Sequence, residues 1–174
     1  SNGSLDTSFD TDGIVVTDIG STTDDYGSSV AVQEDGKIVL VGKTYNVSKY
    51  NIALVRYKVD GSLDTSFSGD GKQITNLSAG DDIANSVALQ PNGTIVVAGS
   101  TLTPQFTYID LGGVGHIVSE NYDFVVLNYN SSGTLDADFS TDGKVKVAFE
   151  EGQDDFGYGM LLQNDGKIIV VGSA

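Results

Sequence analysis

One unit is written three times in this chain, and that constrains the fold more than any composition does. LDTSFDTDG (Leu5–Gly13) returns as LDTSFSGDG (Leu63–Gly71), a step of 58 residues, and again as LDADFSTDG (Leu135–Gly143). A second block keeps step with it: SVAVQEDGKIVLVG from Ser29, SVALQPNGTIVVAG from Ser86 and GMLLQNDGKIIVVG from Gly159. Two blocks preserved at one long period mean stacked supersecondary units, each burying its faces against its neighbours, not one irregular core.

Each unit parses into four strand signals. The first covers Gly13–Gly20, Gly71–Ala79 and Gly143–Glu150; the second Tyr26–Asp35, Ile83–Asn92 and Phe156–Asp165. The third covers Lys37–Thr44, Thr94–Thr101 and Lys167–Ala174; the fourth Asn51–Tyr57 and Asp123–Tyr129. Asp35-Gly36, Asn92-Gly93 and Asp165-Gly166 separate the second and third strands, and Asx-Gly between apolar runs predicts a two-residue type I′ hairpin. KIVLVG and KIIVVG are nearly continuous apolar runs, which predicts strands buried on both faces. No window has helical periodicity. The expected fold class is all-β: tandem four-stranded antiparallel blades of the β-propeller type.

In the L-D-x-x-F-x-x-D-G block, Leu5, Leu63 and Leu135 with Phe9, Phe67 and Phe139 are expected to plug the gap between blades. Asp6, Asp64 and Asp136, and Asp12, Asp70 and Asp142, are expected to accept backbone N–H groups in that loop.

Together these blocks resemble the delta-60 repeat family, whose units show an LDxSF block, a VAxQxDGKIVVAG block and a DFxxxRYNxDG block. The first unit matches best, with VAVQEDGKIVLVG and IALVRYKVDGSLD; the second reads VVLNYNSSGTLD, with Asn128 where Arg56 stands in the first. The resemblance covers the whole chain and extends more weakly to NHL-like propeller repeats. It implies multi-copy arrays in secreted or surface-associated bacterial proteins, with a scaffold or binding role and no general enzymatic one. It also implies a blade order of second strand innermost, then third, fourth, and the next unit's first strand outermost.

On that order residues 1–20 hold an outer strand and linker of a preceding or closing blade, and 21–79 are blade 1. Residues 80–150 are blade 2, with an inserted loop at 102–122, and 151–174 are the inner half of blade 3. The expectation is an incomplete segment of a larger propeller or array, with open edges that seek a continuation of the same chain or a second copy.

Charge and composition narrow the partners. A formal net charge of −15 with only 9 basic residues disfavours a phosphate backbone, so no nucleic acid is expected. No apolar run reaches the ~20 residues of a membrane span, and no membrane insertion is expected. The absence of cysteine removes disulfides and thiolate chemistry. An acidic, Cys-free chain rich in Asn, Ser, Thr and Gly fits an extracellular or cell-surface setting.

Two groups of residues are candidates for a site. The pairs Asp24-Asp25, Asp81-Asp82 and Asp154-Asp155 recur before the second strand; adjacent carboxylates suit calcium, a hard cation that takes oxygen ligands, and equally suit loop capping. The insert carries the sole histidine, His116, with Phe106, Tyr108 and Tyr122 as a binding group; packing of a hairpin extension on the next blade is the alternative reading. No catalytic residue is assigned: there is no G-x-S-x-G elbow, and a lone histidine is a weak base for catalysis. The reading is a non-enzymatic scaffold or interaction module, with no cofactor required and calcium the one that would fit. A calcium-supported adhesion face for a protein or glycan partner, and a metal-dependent hydrolase of propeller type, stand as alternatives.

Overall fold

Twelve strands and no helix form among the residues described, 3–20, 24–150 and 152–174, in the computed structural model. The first sheet runs β1 (Asp25–Val32), β2 (Ile38–Asn46), β3 (Lys49–Tyr57), β4 (Lys72–Thr75), in that spatial order. The second repeats it with β5 (Asp82–Leu89), β6 (Ile95–Thr103), β9 (Asn121–Tyr129) and β10 (Lys144–Val147). Between β6 and β9 the insert folds into a separate hairpin, β7 (Phe106–Ile109) with β8 (Gly115–Val118). β11 (Phe156–Leu162) and β12 (Ile168–Ser173) pair as the first two strands of a third sheet. Every pairing is antiparallel. The chain is therefore all-β and propeller-like, with β1, β5 and β11 as the innermost strands of successive sheets, β1 packing on β5 and β5 on β11.

The turn between inner strands differs from the expected type. Gly36 N–H bonds the Gln33 carbonyl at 2.9 Å and Gln33 N–H bonds the Lys37 carbonyl at 2.8 Å, so the loop has three residues. Only Gly36 has positive φ (82°); Asp35 does not, and its Oδ1 accepts the Lys37 N–H instead. This is the type I turn with a glycine bulge. The same form returns at Gly93 and Gly166. Asx-Gly located the hairpin; the aspartate's preference for capping the residue two places on selected the loop length.

Each inner pair carries a bulge, between Gly27 and Ser29, Ala84 and Ser86, and Gly157 and Gly159. Opposite each lies the glycine that ends the apolar run: Gly42, Gly99 and Gly172. The core lies between the first two sheets, where Val39, Val41, Ile52 and Leu54 meet Ala84, Val97, Leu127 and Tyr129. Phe67 closes its outer end, fully buried against Gly133 of the β9–β10 loop. Phe9 and Phe139 are only half-buried, so the expected plug is complete at one junction.

The aspartates of that block behave as the sequence predicts. Asp6, Asp64 and Asp136 accept the N–H two residues on, and Asp12, Asp70 and Asp142 do the same at the loop's exit.

Gly13–Gly20 forms no ladder among the described residues, correcting its reading as a strand. Its placement is still that of β4: Thr17 Oγ1 accepts from Tyr57 Oη at 2.8 Å, as Thr75 accepts from Tyr129 at 2.8 Å. Likewise Asp10 N–H bonds the Asp60 carbonyl, as Ser68 N–H bonds that of Ser132. Residues 3–12 form the loop that precedes it.

That loop holds Thr11 at φ 68° and Thr141 at φ 70°, where the middle copy has Gly69 at 89°. A β-branched residue in the left-handed region costs about 1–2 kcal/mol. Thr141→Gly is therefore expected to raise stability by about 1 kcal/mol, less the added freedom of the unfolded glycine. A urea midpoint equal to or below that of the parent would contradict this.

Candidate functional site

The three Asp pairs do one job three times. The second member of each reaches back across the link between outer and inner strands: Asp25 Oδ2 accepts Ile19 N–H, Asp82 Oδ2 accepts Leu77 N–H, and Asp155 Oδ2 accepts Phe149 N–H, each at 2.8 Å. Asp82 adds Thr101 Oγ1 at 2.6 Å and Ser78 Oγ at 3.1 Å, which satisfies a carboxylate with no exposure. In the third sheet Ala174 stands at the place of Thr101 and Asp155 Oδ1 is buried without a partner; in the first sheet Asp25 Oδ1 and Thr44 Oγ1, at the places of Asp82 and Thr101, are likewise buried without one.

In two of the pairs the first member ties one sheet to the next. Asp81 accepts Tyr50 N–H at 2.8 Å from the start of β3, and Asp154 accepts Tyr122 N–H at 2.9 Å from the start of β9. The Asp24 carbonyl accepts Tyr45 N–H. The carboxylates of Asp25, Asp81, Asp82, Asp154 and Asp155 thus sit at separate junctions, engaged with backbone donors. Among the described residues no three His, Asp or Glu side chains gather as a metal site. Of the two sequence readings, loop capping is the one whose hydrogen bonds are present.

The insert projects from the same end of the sheets as the Asp pairs, since β6 ends at Thr103 beside Asn121 while Thr101 pairs with Asp82. Register places Phe106 and Tyr108 opposite Val118 and His116 on one face, and Thr107 and Ile109 opposite Ile117 and Gly115 on the other. Tyr108 stacks on His116 at 4.9 Å and 14°, and Phe106 lies 6.4 Å from Tyr108. Asp110 organises the tip, accepting Gly112 and Val114 N–H at 2.9 Å each and meeting His116 Nε2 at 3.0 Å. Those bonds, His116 first, hold its carboxyl below the usual range. Phe106, Tyr108, Ile109, Leu111, Val114 and Ile117 are all exposed, so this hairpin stands clear of the neighbouring sheet.

Tyr122 does not join this group. It opens β9 and lies 4.8 Å from Phe156, whose ring stacks in turn with Tyr158 at 6.1 Å and 6°. Burial, then the nearby Asp81 and Asp154 carboxylates, raise its pKa.

The feature that sequence reasoning missed lies at the opposite end. Between the turns of the first two sheets is a cleft of about 750 Å³, lined by Gln33, Lys37, Arg56, Ser66, Gln90 and Ser131 among others. Arg56, the chain's sole arginine, is 4% exposed. Its Nε donates to Asp64 Oδ2 at 2.9 Å, Nη1 to the Ser131 carbonyl at 2.7 Å and Nη2 to Ser66 Oγ at 3.2 Å, with the guanidinium 4.7 Å above Phe67. Its contact with Ser131 joins the first sheet to the second. The signal in the sequence was a single arginine inside an apolar strand, eight residues before an aspartate.

An all-β chain whose repeated four-stranded sheets stack by their innermost strands is a β-propeller-type repeat protein. Residues 33–67, from the first inner turn through β2 and β3 to Phe67, match a family described as a domain of unknown function (DUF5122) beta-propeller. That stretch contains Arg56, Asp64 and Phe67. No curated protein matches the chain.

Proposed function

We propose that the chain is a non-enzymatic scaffold and interaction module of the delta-60 repeat kind, belonging to an extracellular or surface bacterial protein, which associates through the open face of its third sheet. One comparison carries this reading. Val39 and Val41 are 0% exposed beneath the second sheet, and Val96 and Ala98 at the same places are 0% exposed beneath the third. Ile169 and Val171, again at those places, are 38% and 59% exposed.

The occupant that fits is another blade of this type. Blade 1 offers such a surface on its far side, where Val30 and Val32 are 59% and 64% exposed. Front-to-back stacking of this kind is heterologous, giving a ring if the rotation closes and a filament if it does not. Exposed apolar faces drive it; the net charge of −15 opposes it, more strongly at low salt.

The native mass of the 174-residue chain tests this. At about 0.15 M salt it is expected to exceed 18.2 kDa and to rise with protein concentration. Val171→Lys is expected to return it to the monomer without lowering the urea midpoint, because that side chain is exposed in the single chain. A parent that stays at 18.2 kDa at all concentrations and salts would sink the proposal.

A further inference from the structure

The cleft between the turns of the first two sheets carries both signs of charge on one wall and an aliphatic patch on the other. Both walls belong to four-stranded sheets, and its volume of about 750 Å³ lies in the range of small-molecule pockets. Lys37 and Arg56 line it as cations; Glu34 and Asp35, both exposed, line it from the same turn as Lys37. On the facing sheet Leu89 and Pro91 of the β5–β6 turn supply the aliphatic side. In the second sheet the backbone is the same: Arg56 N–H bonds the Gly71 carbonyl and Asn128 N–H that of Gly143, both at 2.9 Å. Thr94 and Asn128 stand there at the places of Lys37 and Arg56, so neither cation recurs.

The cations keep donors that nothing in the chain accepts. Arg56 gives one N–H from each nitrogen, to Asp64, the Ser131 carbonyl and Ser66, which leaves one on each terminal nitrogen. Lys37 Nζ meets Asp35 Oδ2 at 2.8 Å, while Asp64 Oδ2 at 3.7 Å lies beyond hydrogen-bond length, so the ammonium too has N–H groups left over. An anion placed on these donors lies beside the carboxylates of Glu34 and Asp35, in a chain of net charge −15. A ligand that carries a cation next to its anion answers both.

We propose that this cleft binds a zwitterion with an aliphatic body: its carboxylate on Lys37 and Arg56, its ammonium on Asp35 and Glu34, and its body against Leu89 and Pro91. A carboxylate shared by an ammonium and a guanidinium edge makes charge-assisted hydrogen bonds. Displacing Asp35 from Lys37 costs little, because that pair is solvent-exposed and the ligand ammonium takes the place of Lys37 on the carboxylate. A phosphate or a metal ion satisfies one sign of charge and opposes the other. The zwitterion is a free amino acid or a short peptide, whose ends carry the same two groups.

The test is a titration of the folded chain with L-leucine and the dipeptide Gly-Leu, followed by ¹H–¹⁵N spectra. Isocaproate and isoamylamine, which each keep one of leucine's two charges, are the controls. Shifts are expected to centre on the 33–37 and 89–93 turns, with each control binding at least about tenfold more weakly than leucine. Lys37→Gln and Asp35→Asn are each expected to weaken leucine binding at least about tenfold. Asparagine at 35 keeps an Oδ1 for the N–H of residue 37, so that turn is retained. Lys167→Gln and Asp165→Asn, which alter the same pair on the turn of the third sheet, are expected to leave binding unchanged. Gly-Leu binding about tenfold tighter than leucine supports a peptide as the source; leucine binding as tightly or more tightly supports the free amino acid. Absence of binding, shifts elsewhere, a control that binds as well as leucine, or binding that survives Lys37→Gln or Asp35→Asn overturns the assignment.

Discussion

Arg56→Ala is expected to lower the unfolding free energy by about 3–5 kcal/mol, the usual cost of removing one partner from a buried ion pair. The loss arises at Asp64, which is 4% exposed and would keep its charge with only Lys37, 3.7 Å away, and the Ser66 hydroxyl and N–H beside it. The bond to the Ser131 carbonyl and the contact with Phe67 go as well, so the first two sheets lose a direct tie. Asn128 shows that the backbone closes without arginine, so the cost lies in the unpaired charge and not in the loop. Arg56→Asn is accordingly expected to cost less than Arg56→Ala.

The pH dependence follows from the same charge. Burial pushes the Asp64 carboxyl up, but the Ser66 hydroxyl and N–H, then Arg56 and Lys37, bring it below its ordinary value. A carboxyl depressed in the folded state adds stability above its unfolded pKa of about 3.9, and that stability is lost as pH falls through the folded value. Without Arg56 the carboxyl titrates higher, so the difference between parent and variant narrows on acidification below about pH 4. Urea unfolding at neutral pH and near pH 3 measures both. A neutral-pH difference under about 1 kcal/mol would place the pair with ordinary surface bridges.

Gly99→Ala is expected to cost about 3 kcal/mol or more. Its added Cβ falls well inside contact with the Ile83 carbonyl oxygen and 2.9 Å from the carbonyl carbon, at the bulge between Ala84 and Ser86. Both atoms are backbone, so relief requires parting β5 from β6 in the most buried sheet. Gly93→Ala is the contrast: its φ is 85° but nothing lies within 4 Å of the new Cβ, so only the left-handed backbone is penalised, by about 1 kcal/mol. Denaturant midpoints for the two variants decide the matter; equal losses would mean that conformation, not close approach, sets the value of Gly99.

Much of this architecture is legible in the sequence because its causes are local. Asp35, Asp70 and Asp142 cap an N–H two residues away, and Asp25 and Asp155 one six residues back, so their roles travel with a short stretch of chain. The strand order was implied by the resemblance to propeller repeats, and the sheets follow it. The candidate site was legible in part. Phe106, Tyr108 and His116 share a face because a hairpin register couples them, whereas Tyr122, only six residues past His116, is claimed by Phe156 of another sheet.

By itself the sequence determined the repeat, the places of the turns and the capping aspartates, all interactions closed within a few residues or between adjacent strands. The tertiary structure alone decided which copies of identical positions are buried. Val39, Val96 and Ile169 occupy one place in three blades, as do Phe9, Phe67 and Phe139, yet only those covered by the next sheet are sealed from water. Burial is a property of what is stacked on a residue, and the hydrophobic gain is realised only when a second surface removes the water. The same distinction separates Arg56 from Asn128: one letter differs in the chain, but only the packed loops reveal a cation enclosed in one blade and an unpartnered acceptor in the next.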